Sequence, residues 1–140
     1  MTDYEPDNIF GKVLRGEIPA HKIYEDADLL AMMDIFPQSR GHALVIPKAP
    51  SRNLLDADPA VLAKIMPSVQ RLARAVKTAT GADGLRLVQF NEAVSGQTVF
   101  HLHFHLIPVY EGTELGRHGR GRADDAELAQ LAKAIAAAMG

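Results

Sequence analysis

The chain has 140 residues, with 15 Lys plus Arg against 17 Asp plus Glu, six His, no Cys and no Trp, for a formal net charge of −2. That balance argues against nucleic acid or a membrane surface as partner, and the absent cysteines exclude a disulfide framework, a thiolate zinc knuckle, an iron–sulfur cluster and a cysteine nucleophile. A chain of this length buries roughly two thirds of its unfolded surface, enough for a single domain over residues 1–140 to stand without a staple.

The N-terminal residues are acidic and have no continuous apolar run, so no secretory signal is expected. No apolar stretch approaches the ~20 residues that cross a bilayer, and a soluble, cytoplasmic protein is expected. Ile9, Phe10, Val13 and Leu14 recur at helical spacing and stop before Gly16, which predicts a short helix. Lys22 to Tyr24 and Leu29 to Asp34 flank a turn-like Glu25-Asp26-Ala27-Asp28 and predict a hairpin; Ala43 to Ile46 is a third strand closed by Pro47. A long helix follows, capped by Asp58 with Pro59 in its first turn. Its apolar face runs through Leu62, Ile65, Met66, Val69, Leu72, Ala73 and Val76 to a stop at Gly81, with a kink expected at Pro67.

Two further strands, Leu85 to Phe90 and Val99 to Tyr110, enclose a polar loop from Asn91 to Thr98 and predict an adjacent antiparallel pair. Gly112 to Arg122, rich in Gly and Arg, reads as a mobile surface loop, and Asp124-Asp125 heads a last amphipathic helix that runs to Met139. Strands and helices do not alternate strictly. The expected class is α+β, a five-stranded antiparallel sheet with helices on one face.

The segment Phe100 to Pro108 carries the chemistry. In a strand, His101, His103 and His105 point to one face while Leu102, Phe104 and Leu106 anchor the other. Successive imidazoles are then about 6.7 Å apart and the outer pair about 13 Å, too far for all three to hold one ion at zinc–nitrogen distances near 2.0 Å. A linear relay fits better: the middle ring acts as nucleophile or base, and its neighbours set its tautomer and bind the reacting group. The preceding Ser95-Gly96-Gln97-Thr98 turn can present N–H and hydroxyl groups to an anion, which favours phosphoryl over acyl chemistry. His42 and Asp34 lie at strand ends as further candidates, whereas His21 and His118 are expected on the surface.

The run HLHFHLIP behind Gly96-Gln97-Thr98-Val99-Phe100 resembles the signature of the histidine-triad (HIT) superfamily, Hint-like branch. NIFGKVLRGEIPAHKIYED, LLAMMDIFPQSRGHALVIPK and LVQFNEAVSGQTVFHLHFH extend the likeness over most of residues 8–110, with residues 111–140 matching less well. The resemblance implies a nucleotide hydrolase or nucleotidyl transferase acting at the α-phosphate of purine nucleotides: phosphoramidates, acyl-nucleotides or dinucleoside polyphosphates. His103 would be the nucleophile, His101 its orienting neighbour, and His105 with Thr98 the contacts to phosphate or leaving group, with His42 completing the set. Asp34 would hold the ribose hydroxyls, Asn91, Gly96 and Gln97 the phosphate side, and Ile9, Phe10 and Ile18 the base. A homodimer that continues the sheet is implied as well. Some relatives carry a Cys-x-x-Cys zinc site where Asn8 and Gly11 stand here, so no metal or other cofactor is expected. The alternatives are a nucleotide-binding regulatory module with little turnover and a His-ligated metal hydrolase.

Overall fold

The computed structural model describes residues 4–116 and 121–140. Helix α1 (Ile9–Leu14) starts where the Asn8 side-chain oxygen accepts the Gly11 amide at 2.8 Å. Strands β1 (Lys22–Glu25) and β2 (Leu29–Met33) are joined by a turn in which one Asp26 oxygen accepts the amides of Asp28 and Leu29 at 2.7 and 3.0 Å. Strand β3 (Ala43–Pro47) leads through a 3₁₀ turn, Leu54–Asp56, into α2 (Pro59–Thr80), which Asp58 caps and a left-handed Gly81 ends. Then come β4 (Gly84–Val88), a 3₁₀ turn at Ala93–Ser95, β5 (Phe104–Val109) and α3 (Asp125–Ala138), capped by Asp124. The five strands form one antiparallel sheet in the order β1-β2-β3-β5-β4.

Every residue of β2 and β3 is buried, so both faces of the sheet centre are covered. Leu29, Ala31, Met33, Ala43 and Val45, with Leu102, Phe104 and Leu106, pack against Ile65, Leu72 and Val76 of α2 and Leu128, Leu131 and Ile135 of α3. The alternate residues Leu30, Met32, Leu44 and Ile46 meet Phe10 and Val13 of α1 on the opposite face. The two long helices thus share one face, as expected, and short α1 takes the other, where the histidines also lie. Among the described residues no helix is long and apolar enough to cross a membrane.

Helix α2 runs through Pro67, whose exposed position spares the core from the missing backbone donor. Two local expectations change. Met66 is 39% exposed, and Ala75 joins the buried stripe instead. Strand β4 stops at Val88, opposite His105, so residues 99–103 have no β4 partner and β5 begins at Phe104 rather than Val99; Leu102 donates its amide to the Ser51 carbonyl at 2.9 Å instead. His21 is partly exposed, where its ring meets the exposed Asp125 carboxylate at 2.9 Å, and His118 lies outside the described residues.

Gly41, directly before His42, has φ +94°, and a Cβ there would meet the Thr80 methyl at 2.4 Å. Gly41→Ala is therefore expected to destabilise the fold by about 1–3 kcal/mol, from the strained backbone and the clash with the end of α2. Chemical denaturation measures this, and an unchanged midpoint would contradict it.

Candidate functional site

Alternation along the chain continues through the irregular residues before β5, so that Leu102 stays in the large core while His101, His103 and His105 face the other way. The rings lean together: His103 and His105 centroids lie 5.0 Å apart and those of His105 and His42 5.1 Å, closer than the backbone spacing alone implies.

Hydrogen bonds fix most ring protons. The Gln38 amide donates to His42 Nδ1 at 3.0 Å, so that nitrogen carries a lone pair and the His42 proton is on Nε2. From there it is donated to His105 Nδ1 at 2.9 Å, with Asp34 Oδ2 at 3.4 Å from the same nitrogen. His105 consequently carries its proton on Nε2. His103 donates Nδ1–H to the His101 carbonyl at 2.7 Å, which places the lone pair of the neutral ring on Nε2. Phe10 packs edge-on against that ring, with centroids 4.8 Å apart. His101 donates Nε2–H to the Pro47 carbonyl at 2.7 Å, and burial pushes its pKa below the usual histidine value, which keeps it neutral. Its Nδ1 then accepts from the Tyr4 hydroxyl at 2.6 Å.

His103 and His105 open onto a cavity of about 230 Å³. Of the residues expected from sequence, Ile9, Phe10, Ile18, Asp34 and Thr98 line it too, with Val13, Met32, Leu44 and Val99 completing an apolar wall. Asp34 is 4% exposed, with Oδ1 held by the Phe36 amide at 2.8 Å. His42 and His101 stand behind this lining, fully or almost fully buried.

The loop before the histidines departs from expectation. Asn91, Gly96 and Gln97 do not line the cavity. The Gln97 side chain accepts from Asn53 Nδ2 and the Glu92 amide and donates to the Arg52 and Val99 carbonyls, so its amide is committed within the protein. Asn91 is engaged by the Leu54 amide and by Gln89. Gly96, at φ +114°, faces the Phe90 ring, which a Cβ would meet at 3.3 Å. These residues shape the loop. Its unusual point is Glu92, a non-glycine residue at φ 74°, ψ 154°. Arg52 grips the Glu92 carboxylate at both oxygens, 2.9 and 3.1 Å, while its guanidinium lies 4.2 Å over the Phe100 ring.

Sequence reasoning missed Gln38, Tyr4 and the Arg52–Glu92 pair. The Pro37-Gln38-Ser39 turn before Gly41-His42 was the available signal for Gln38; a lone tyrosine in an acidic tail gave little for Tyr4.

Asp34, His42 and His105 also bring one carboxylate oxygen and two ring nitrogens within 4.8 Å of one another, a spacing a cation could bridge. The proton pattern does not suit one. With the Gln38 amide on Nδ1, the His42 Nε2–H points at His105 Nδ1, where a metal would need lone pairs from both rings.

A row of proton-ordered imidazoles on an antiparallel sheet, beside a largely apolar cavity that a carboxylate also lines, defines a histidine-triad site. The HIT domain family model matches residues 15–112. The chain is 36% identical over 135 residues to adenylylsulfatase HINT3 of Arabidopsis thaliana, covering 92% of this chain and 68% of that protein. It is 39% identical over 100 residues to adenosine 5'-monophosphoramidase hnt1 of Schizosaccharomyces pombe, covering 71% and 72%. A solved structure of a Hit-like protein involved in cell-cycle regulation from Bartonella henselae superposes with a TM-score of 0.90 at 52% identity, over 97% of this chain and 99% of that one. The chain belongs to the HIT domain family.

Hydrogen bonding from Arg52 holds the Glu92 carboxyl pKa below its ordinary value. A lowered folded-state pKa gives stabilisation that is present above the unfolded-state value and lost as pH falls through the folded one. Wild type is therefore expected to exceed Glu92→Gln in unfolding free energy at neutral pH, with the gap narrowing on acidification. Denaturant titrations across pH 2–7, spanning ordinary carboxylate pKa values, check this; a constant gap would contradict it.

Proposed function

We propose that this protein is a nucleotide hydrolase that cleaves the bond at the α-phosphate of purine nucleotides through a nucleotidyl-His103 intermediate. The observation that carries this is the proton order of the histidines, which leaves His103 Nε2 with a lone pair and His105 Nε2 with a proton beside the same cavity. The activities that name two relatives, adenylylsulfatase and adenosine 5'-monophosphoramidase, support an adenylyl substrate carrying a sulfate or amine leaving group.

The base lies among Ile9, Phe10 and Ile18, and the ribose hydroxyls reach Asp34, whose carboxylate accepts their protons in hydrogen bonds. His103 Nε2 attacks the α-phosphorus; a nitrogen–phosphorus bond forms, and the bond to the leaving group breaks with its electron pair. For a phosphoramidate the departing nitrogen takes a proton from solvent water and leaves as the amine. His105 Nε2–H and the Thr98 hydroxyl donate to the phosphoryl oxygens as charge builds there. Water then attacks phosphorus and gives up a proton to solvent; the nitrogen–phosphorus bond breaks, releasing the nucleoside monophosphate and returning its electron pair to His103 Nε2.

The enzyme acts on the cytoplasmic nucleotide pool as a homodimer. Strand β4 is one edge of the sheet and carries half-exposed Leu87, so pairing with a second copy would cover an open strand. Sedimentation equilibrium checks this: a monomer at micromolar concentration contradicts it.

His103→Ala is expected to lower kcat for adenosine phosphoramidate at least about a thousandfold while AMP still binds by calorimetry. Turnover within a few-fold of wild type would overturn the assignment; AMP binding by a wild-type protein that yields no product from phosphoramidate, acyl-adenylate or dinucleoside polyphosphate would favour a binding module. Exhaustive chelation should leave activity unchanged, and loss restored only by a divalent cation would favour the metal hydrolase.

A further inference from the structure

His101 is 1% exposed and does not line the cavity, so its ring cannot meet a substrate bound there. Its backbone carbonyl nevertheless accepts the Nδ1–H of His103 and so aims that ring. The peptide bearing this carbonyl is held from several sides. The Leu102 amide on it donates to Ser51, and the His101 ring bonds through Nε2 to the Pro47 carbonyl at the end of β3. Through Nδ1 it takes a 2.6 Å bond from Tyr4, whose ring packs edge-on with centroids 5.5 Å apart.

Tyr4 is itself oriented. Asn8 Nδ2 donates to the Tyr4 oxygen at 3.0 Å and to the Glu5 carbonyl at 2.7 Å, while Asn8 Oδ1 caps α1 through the Gly11 amide. Because the Asn8 amide hydrogen points at the tyrosine oxygen, the tyrosine proton is left for His101 Nδ1. The chain of donors therefore runs from the first turn of α1, a cavity wall, through Tyr4 to His101 and its carbonyl, and there meets the His103 proton.

We propose that Tyr4 is a positioning residue for His103, acting through His101. The hydroxyl fixes one face of the His101 ring, Pro47 fixes the other, and the clamped residue presents a carbonyl that keeps the His103 proton on Nδ1 and the lone pair on Nε2. Tyr4 does not line the cavity, so its contribution falls on the chemical step rather than on nucleotide binding. This proposal rests on the reading of His103 as nucleophile.

Tyr4→Phe removes the hydroxyl and keeps the ring packed on His101. The loss of one buried hydrogen bond predicts a fall in kcat of about five- to tenfold with KM within about twofold. Asn8→Asp keeps an oxygen for the Gly11 amide but replaces the donor to Tyr4 with an acceptor that competes for its proton. It is expected to reproduce the kcat loss, and the double variant is expected to be no worse than the more impaired single variant, as for two residues on one path. In ¹⁵N–¹H spectra of the free protein, Tyr4→Phe should shift the ring nitrogens of both His101 and His103. A kcat unchanged in Tyr4→Phe, an effect confined to KM, or His103 signals that stay in place would overturn the proposal. If wild type turns over none of the nucleotide substrates, the functional reading fails by itself, and the His103 signals still decide whether Tyr4 positions that ring.

Discussion

The Gln38 amide points at His42 Nδ1 from 3.0 Å, and an amide nitrogen can only donate. The consequence propagates. Once Nδ1 of His42 is an acceptor, its Nε2 must carry the proton, His105 must receive it, and His105 must turn its own N–H outward. A peptide group in the turn before β3 thereby sets the polarity of a side chain on β5. From the opposite end, the His101 carbonyl requires a proton on His103 Nδ1. The two demands converge on adjacent rings and leave one with its lone pair on Nε2 and the other with an N–H there. Main-chain groups impose both ends of this order, so the chemistry depends on the fold being correct to within a hydrogen bond.

Much of the framework was legible because its causes are local. Asp58, Pro59 and Gly81 bound α2 through cap and backbone preferences that do not depend on distant partners, and Asp124 does the same for α3. Two-residue alternation placed His103 and His105 on one face with Leu102, Phe104 and Leu106 on the other, and it holds even where the ladder is lost. The β5 boundary was not legible, because it is set by where β4 ends, a fact of pairing rather than of residues 99–103 themselves. Helical spacing puts Met66 near the apolar stripe, yet it is 39% exposed while Ala75 is buried, a difference of tertiary packing that spacing along the chain does not carry.

The polar residues show the same division. Asp34 and Thr98 reach the cavity, whereas Asn91 and Gln97 turn inward because the loop needs them. A primary amide with two donors and an acceptor serves equally well to bind a phosphate or to tie a backbone together, and no local pattern separates the two uses. What decides here is Glu92, whose uncommon backbone geometry has to be held by its surroundings. Gln97, five residues on, supplies part of that hold; Arg52 and Asn53 supply the rest from about forty residues away, which is why their roles emerge only in three dimensions.

The sheet also partitions the protein's tolerance to change. One face rests on the two long helices and contains the larger apolar cluster, while the other carries the small cluster around α1 that merges with the cavity wall. Side chains such as Val13, Met32 and Leu44 can therefore be exchanged to reshape what the cavity accepts while the larger cluster is left intact. Changes that reshape the cavity and changes that strengthen the larger core then fall on opposite sides of the same five strands.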